Sequence, residues 1–180
     1  MSAKDKILTA FEDILIGQGE KAATMDAVAK AAGVSKGGLL YHFPSKEALA
    51  TALVQRFNRL VEADMQTMSQ APEGASTYYI NSSVYADTEF DRALVAISRL
   101  AQESNLVASQ ALRESQQRAT ELILAEVGHQ DAARAIVLLS DGMYFNAAFM
   151  HSIDRTESEL TEQNDRRILL ETVEKLKKMG

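Results

Sequence analysis

Residues 31–49 read AAGVSKGGLLYHFPSKEAL, and they leave the backbone little choice. Thr24 stands before Met25-Asp26-Ala27-Val28-Ala29, a short apolar-periodic run with an acid in its first turn. A threonine there accepts a hydrogen bond from the exposed N–H groups that open a helix, and Asp26 suits the positive end of the dipole. Gly33 stops that helix, because glycine takes left-handed backbone angles without a steric penalty. Ser35 caps the next helix, over residues 36–43. Pro44 ends it by pushing the preceding residue out of helical angles. Ser45 caps a third helix beginning Lys46-Glu47-Ala48-Leu49. Two helices joined by so short a glycine turn form a helix-turn-helix.

Spacing inside the second helix separates anchor from tool. Leu39 and Phe43 lie four apart and share one face, so they pin the helix to its own domain. Lys36, Gly37, Leu40 and Tyr41 then point elsewhere. Gly37 and Gly38 each cost about 1 kcal/mol relative to alanine in a helix. Folding alone gives no reason for them, whereas close approach to a groove wall does.

At these residues the chain resembles the tetracycline-repressor (TetR) family of bacterial transcriptional regulators. The family pattern runs small-Gly-Val-Ser, then a Lys-Gly-Thr-Leu-Tyr-Tyr-His-Phe type helix, then Pro/Ser-Lys-Glu-Ala-Leu. This chain supplies Ala32-Gly33-Val34-Ser35, Lys36-Gly37-Gly38-Leu39-Leu40-Tyr41-His42-Phe43 and Pro44-Ser45-Lys46-Glu47-Ala48-Leu49. The match covers residues 5–50, with Ile7-Leu8-Thr9-Ala10-Phe11 and Gly19 included. The resemblance implies that Thr24, Tyr41, His42 and Lys46 hold phosphates. It sets Ser35, Lys36, Gly37 and Gly38 nearest base edges. Gly38 replaces a frequent threonine and Leu40 a frequent tyrosine, so two hydrogen-bonding side chains are missing. Leu40 either touches a thymine methyl or is simply an exposed leucine. With fewer direct contacts, the head depends more on DNA shape.

The net charge of −6 at first argues against a nucleic-acid partner. Residues 1–48, however, hold six lysines and six acids, and the excess acid belongs to residues 49–180. A neutral head calls for two heads acting together and for binding that weakens with salt. With no cysteine, disulfides and thiolate metal sites are excluded. His129 and His151 lack metal-like spacing. No nucleophile–base pair or glycine-rich phosphate loop appears, so neither enzyme chemistry nor a cofactor or metal is expected. Residues 7–16 are interrupted by Glu12 and Asp13 at helical spacing, unlike a signal peptide, and the expected location is cytoplasmic.

Past Leu49 the chain reads as more helix, giving an all-α protein of about nine helices. A helix-turn-helix head over 1–48 precedes an effector-binding and dimerisation body over 49–180. Leu49, Leu53, Phe57 and Leu60 carry the third helix of the head on to about Ser69. A short helix is expected within 76–86, and amphipathic ones from about Phe90 and over 105–127. Residues 132–150 hold only Arg134, Ser140, Asp141 and Asn146 as polar positions. Burial against a second subunit accounts for so apolar a helix better than a membrane span does, because Arg134 and Asp141 lie inside it. With a last helix over 161–178, it would form a four-helix dimer interface. The interface residues are then Ile136, Met143, Ala147, Met150, Leu169, Val173 and Leu176. Twofold symmetry makes the operator near-palindromic.

Aromatic and methionine side chains concentrate in the body. Met65, Met68, Tyr78, Tyr85, Phe90, Asp141, Tyr144 and Phe145 are candidates for lining a site for a small apolar or amphipathic effector. Asp141 either faces a cationic ligand or pairs with Arg92 or Arg99, and the pairing is the expectation. The function implied is a ligand-responsive repressor that binds double-stranded DNA as a homodimer. The alternatives are a DNA-binding regulator without an effector and, less favoured for want of a nucleophile–base pair or phosphate loop, a helical-bundle carrier or enzyme.

Overall fold

The computed structural model describes residues 2–149 and 155–179. Among these residues there are nine α-helices and no strand, so the chain is all-α. The helices are α1 (Ala3–Gln18), α2 (Met25–Ala32), α3 (Lys36–His42), α4 (Lys46–Ser69) and α5 (Ala75–Ser82). They continue as α6 (Glu89–Gln102), α7 (Leu106–Val127), α8 (Gln130–Phe149) and α9 (Arg155–Leu176). Short 3-10 turns cover Glu20–Ala22 and Lys177–Met179. No helix among the described residues is long and apolar enough to cross a membrane.

Local chemistry sets most helix starts. Ser2 and Asp5 form a reciprocal capping box on α1, and Thr88 and Asp91 form another on α6. Asn105 Oδ1 accepts from the Ala108 N–H at 2.9 Å and opens α7. The start of α5 is held from far along the chain. Glu126 of α7 accepts from the Ser76 N–H at 2.7 Å and from its hydroxyl at 3.0 Å, and it pairs with Lys177 at 2.8 Å. Those donors and Lys177 hold the Glu126 carboxyl below its usual range although burial opposes them.

The chain divides into two compact units. Unit 1 comprises residues 1–61 and 87–114, and it carries no net formal charge. Ile7, Phe11, Ile14 and Leu15 make the buried stripe of α1, which meets α2 and α6. Leu49, Leu53, Phe57 and Val61 line α4 at a spacing of four, and Ala93, Ile97 and Leu100 do so on α6. Each fully buried Leu, Ile or Phe contributes about 1.5–3 kcal/mol. Ion pairs complete the unit. Arg56 meets Glu12 at 3.3 Å and Glu89 at 2.7 Å, while Arg92 meets Asp13 and, at 3.4 Å, Asp87. Glu12 is 1% exposed, and burial raises its pKa against the pull of Arg56 and Arg92.

Unit 2 comprises residues 62–86 and 115–180, and the whole excess of negative charge lies in it. Its core is built from Met65, Met68, Ile80, Ile123, Ala133, Ile136, Val137, Met143, Ala147 and Val173. Helices α5, α8 and α9 touch one another.

Candidate nucleic-acid interface

The α2–α3 turn follows from three residues. Thr24 Oγ1 accepts from the Ala27 N–H at 3.2 Å, and Ser35 Oγ accepts from the Gly38 N–H at 3.0 Å. Between them Gly33 adopts φ 66° and ψ 33°, left-handed angles that alanine takes only with strain. Phe43 then leaves α3 with extended angles, as its place before Pro44 requires. Ser45 Oγ accepts from the Ala48 N–H at 3.2 Å to start α4.

Helix α3 has an inside and an outside. Leu39 is fully buried and Phe43 nearly so, which fixes the helix on its own unit. On the opposite side Tyr41 is 86% exposed and Leu40 42%. A large apolar and a phenolic side chain thus stand in water beside a glycine-led turn. Thr24, Ser35, Lys36 and Gly37 are exposed with them, and Gly38 and His42 are partly so. The open space around the Gly37 Cα means that nothing in the unit obstructs a partner there. The Tyr41 and His42 rings meet edge-on, with centroids 5.1 Å apart.

Two lysines of this surface are engaged within the chain. Lys36 Nζ lies 2.9 Å and 3.2 Å from the two carboxylate oxygens of Asp26, and both side chains are mostly exposed. Lys46 Nζ lies 2.6 Å from a Glu20 carboxylate oxygen and donates to the Glu20 carbonyl at 2.7 Å. That second pair is half-buried and ties α4 to the 3-10 turn. Sequence reasoning missed both acids as members of the surface. They stand ten and twenty-six positions from their lysines, outside the reach of helical spacing.

Residues 7–53 match the family model described as bacterial regulatory proteins, tetR family. That stretch carries the capped turn, the anchors Leu39 and Phe43 and the exposed face. Over this stretch the chain carries the DNA-binding segment of the TetR family. It is similar to the HTH-type transcriptional regulator RutR of Escherichia coli (strain K12), with 34% identity over 96 residues. The match covers 52% of this chain and 45% of RutR. It is also 30% identical over 93 residues to the nucleoid occlusion factor SlmA of Haemophilus ducreyi, covering 49% of this chain and 46% of SlmA. The chain thus spans about half the length of the curated relatives it matches. A solved transcriptional regulator from Rhodococcus sp. Rha1 shares the fold with a TM-score of 0.69 at 17% identity, over 96% of each chain.

The TetR match ends at residue 53, so the body is read from its own residues. Asp141 does not pair with Arg92 or Arg99, contrary to expectation. Its oxygens accept from the Tyr79 hydroxyl at 2.6 Å and from Gln116 Nε2 at 2.5 Å. Arg92 is instead taken up by Asp13 and Asp87, two acids whose proximity needs the folded unit. Burial first, then Asp141, pushes the Tyr79 phenol well above its usual range, so it remains a donor. Tyr78 donates to Asp64 at 2.8 Å and is pushed up to about 12, chiefly by burial. Met65 and Met68 are buried, Tyr85 meets Tyr144 edge-on at 6.4 Å, and Phe145 is exposed. Phe90 packs on Phe57 at 6.0 Å within unit 1, whereas the other effector candidates belong to unit 2.

The helices α8 and α9 give a similar correction to the face assigned to a partner. Ile136, Met143, Ala147 and Val173 are buried inside the single chain, and Leu169 and Leu176 are partly so. Met150 lies outside the described residues, as does His151. Among the described side chains, the large apolar ones that α8 and α9 leave uncovered are Leu138, Leu139, Phe145 and Ile168, each more than two-fifths exposed.

Proposed function

We propose that this chain is a transcriptional regulator of the TetR family, a repressor, that binds a near-palindromic operator as a homodimer and is released by a small-molecule effector. The observation that carries the reading is the two-sided α3. Leu39 and Phe43 are locked inside, while Lys36, Leu40 and Tyr41 stand outside on a capped glycine turn. Tyr41, His42 and Thr24 contact phosphates and set the register, and the start of α3 faces base edges. A head without net charge gains little from non-specific attraction, so two heads per duplex are needed. Their spacing would match one helical turn, about 34–36 Å.

The uncovered apolar residues of α8 and α9 supply the dimer contact. Leu138, Leu139, Phe145 and Ile168 replace the buried residues that helical periodicity singles out. In the body, an apolar or amphipathic effector would favour a conformation that misplaces the heads and so lower operator affinity. A cytoplasmic protein without cofactor or metal suits this role. A regulator with no effector is the second reading. It is favoured by the full burial of Met65 and Met68 and by the way Tyr79, Gln116 and Asp141 satisfy one another.

The test is a mobility-shift titration against fragments selected from genomic DNA, paired with sedimentation of Phe145→Glu. The variant is expected to be monomeric and to lose at least tenfold in operator affinity while keeping its helical content. A dimeric Phe145→Glu would move the contact elsewhere. Wild type that retards no duplex would end the proposal.

A further inference from the structure

The ion pair on the exposed face does more than balance charge. Lys36 opens α3, Asp26 stands in the first turn of α2, and their charged atoms lie 2.9 Å apart on an open surface. Both side chains keep most of their area in water, at 60% and 72%. A surface pair of this kind adds little to folding. Its geometry is nevertheless specific, because it displays a three-proton donor beside a carboxylate acceptor.

In the major groove a G·C pair shows the complementary arrangement. Guanine offers N7 and O6 as acceptors, and next to O6 the cytosine N4 amine is a donor. O6 and N4 are hydrogen-bonded to each other, so they too sit about 2.9 Å apart. We propose that Lys36 and Asp26 together read one G·C pair in each half-site, which makes Asp26 a specificity-determining residue. This rests on the DNA-binding role proposed above. Lys36 Nζ keeps its contact with Asp26 and donates its remaining protons to guanine O6 and N7. Asp26 accepts from cytosine N4.

The arrangement ranks the alternatives. Read in the same direction, T·A keeps the acceptor-then-donor order through thymine O4 and adenine N6, but it sets a methyl where guanine has N7. It is second best. C·G and A·T present a donor to the ammonium or an acceptor to the carboxylate, and both are rejected. Asp26 also penalises non-specific complexes, since it faces the phosphates whenever no amine is there to receive it. An exposed acid on the surface that meets DNA thereby has a reason to be there.

The experiment uses an operator fragment selected from genomic DNA and symmetric duplexes with every base pair replaced in turn. Wild type should show one position per half-site with the order G·C, T·A, then C·G and A·T, spanning roughly 5- to 150-fold. Asp26→Ala should flatten the preference at that position alone and raise affinity for a scrambled duplex several-fold. Asp26→Asn should shift it toward adenine, which asparagine reads through N6 and N7. Asp26 is exposed and Thr24 still caps α2, so the variants should fold, with circular dichroism as the check. Unchanged preferences in Asp26→Ala would overturn the inference while leaving the DNA-binding role intact. A loss spread evenly over all positions would do the same, reducing Asp26 to a bulk charge. A wild type that binds no duplex would remove the role itself, and this inference with it.

Discussion

The buried carboxylate of Glu12 allows a sharp test of how unit 1 is held together. It is 1% exposed, its near partner is Arg56 at 3.3 Å, and its second oxygen has no hydrogen-bond partner among the described residues. Arg56→Met keeps the aliphatic stem and deletes the guanidinium, leaving the buried carboxylate without its hydrogen-bonded partner and with only the more distant pull of Arg92. Breaking a buried pair in this way costs about 3–5 kcal/mol. The sign of the pH dependence follows from the raised pKa. Folded Glu12 keeps its proton to higher pH than unfolded Glu12, so its burial costs least below the ordinary glutamate range. Stability falls as pH rises through the raised value. Removing Arg56 deletes the strongest opposing influence and makes that fall steeper. Urea unfolding followed by circular dichroism should therefore show a full loss at mildly alkaline pH and a much smaller one in acid. Glu12→Gln in the Arg56→Met background should restore most of the stability, because a neutral amide has far less to lose from burial. A loss below about 1 kcal/mol at alkaline pH, or one equal at both pH values, would refute the argument.

Two further substitutions probe the turn and the body. Gly33→Ala has room for its methyl but not the backbone angles, and it should cost about 1–2 kcal/mol, with Gly33→Asn costing less. Equal melting temperatures for Ala and Asn would show that conformation is not the cause. Tyr79→Phe removes the 2.6 Å donor of Asp141 and should cost about 1–3 kcal/mol in urea titration. A loss within error of zero would mean that water replaces the phenol.

The parts of this fold that could be read in the sequence are those with short-range causes. Thr24, Gly33, Ser35, Pro44 and Ser45 act on backbone groups within four residues, and α2, α3 and the start of α4 lie where they direct. Leu39 and Phe43 are likewise a local pair whose burial follows from spacing. Parts settled by distant neighbours were not legible. Helical periodicity shows that Ile136, Met143, Ala147 and Val173 belong on a covered face, yet it cannot say whether the cover is the same chain or another. Asp141 looks from its neighbours like a charge in search of an arginine, while Tyr79 and Gln116 come from two other helices. The pairing of Asp26 with Lys36 needs the turn to be folded before it exists.

Unit 1 leaves the chain at Val61 and takes it up again at Asp87. The stretch matched by the family model, 7–53, is therefore not the stretch that folds as one body. A scissors cut after α4 would strip Phe57 of Phe90, Asp13 of Arg92 and the apolar side of α1 of its cover by α6. Anyone grafting this head onto a foreign effector domain would have to carry α6 across as well, or supply a substitute for it. The same discontinuity gives point changes in α6 a route to altered operator binding without any approach to the duplex.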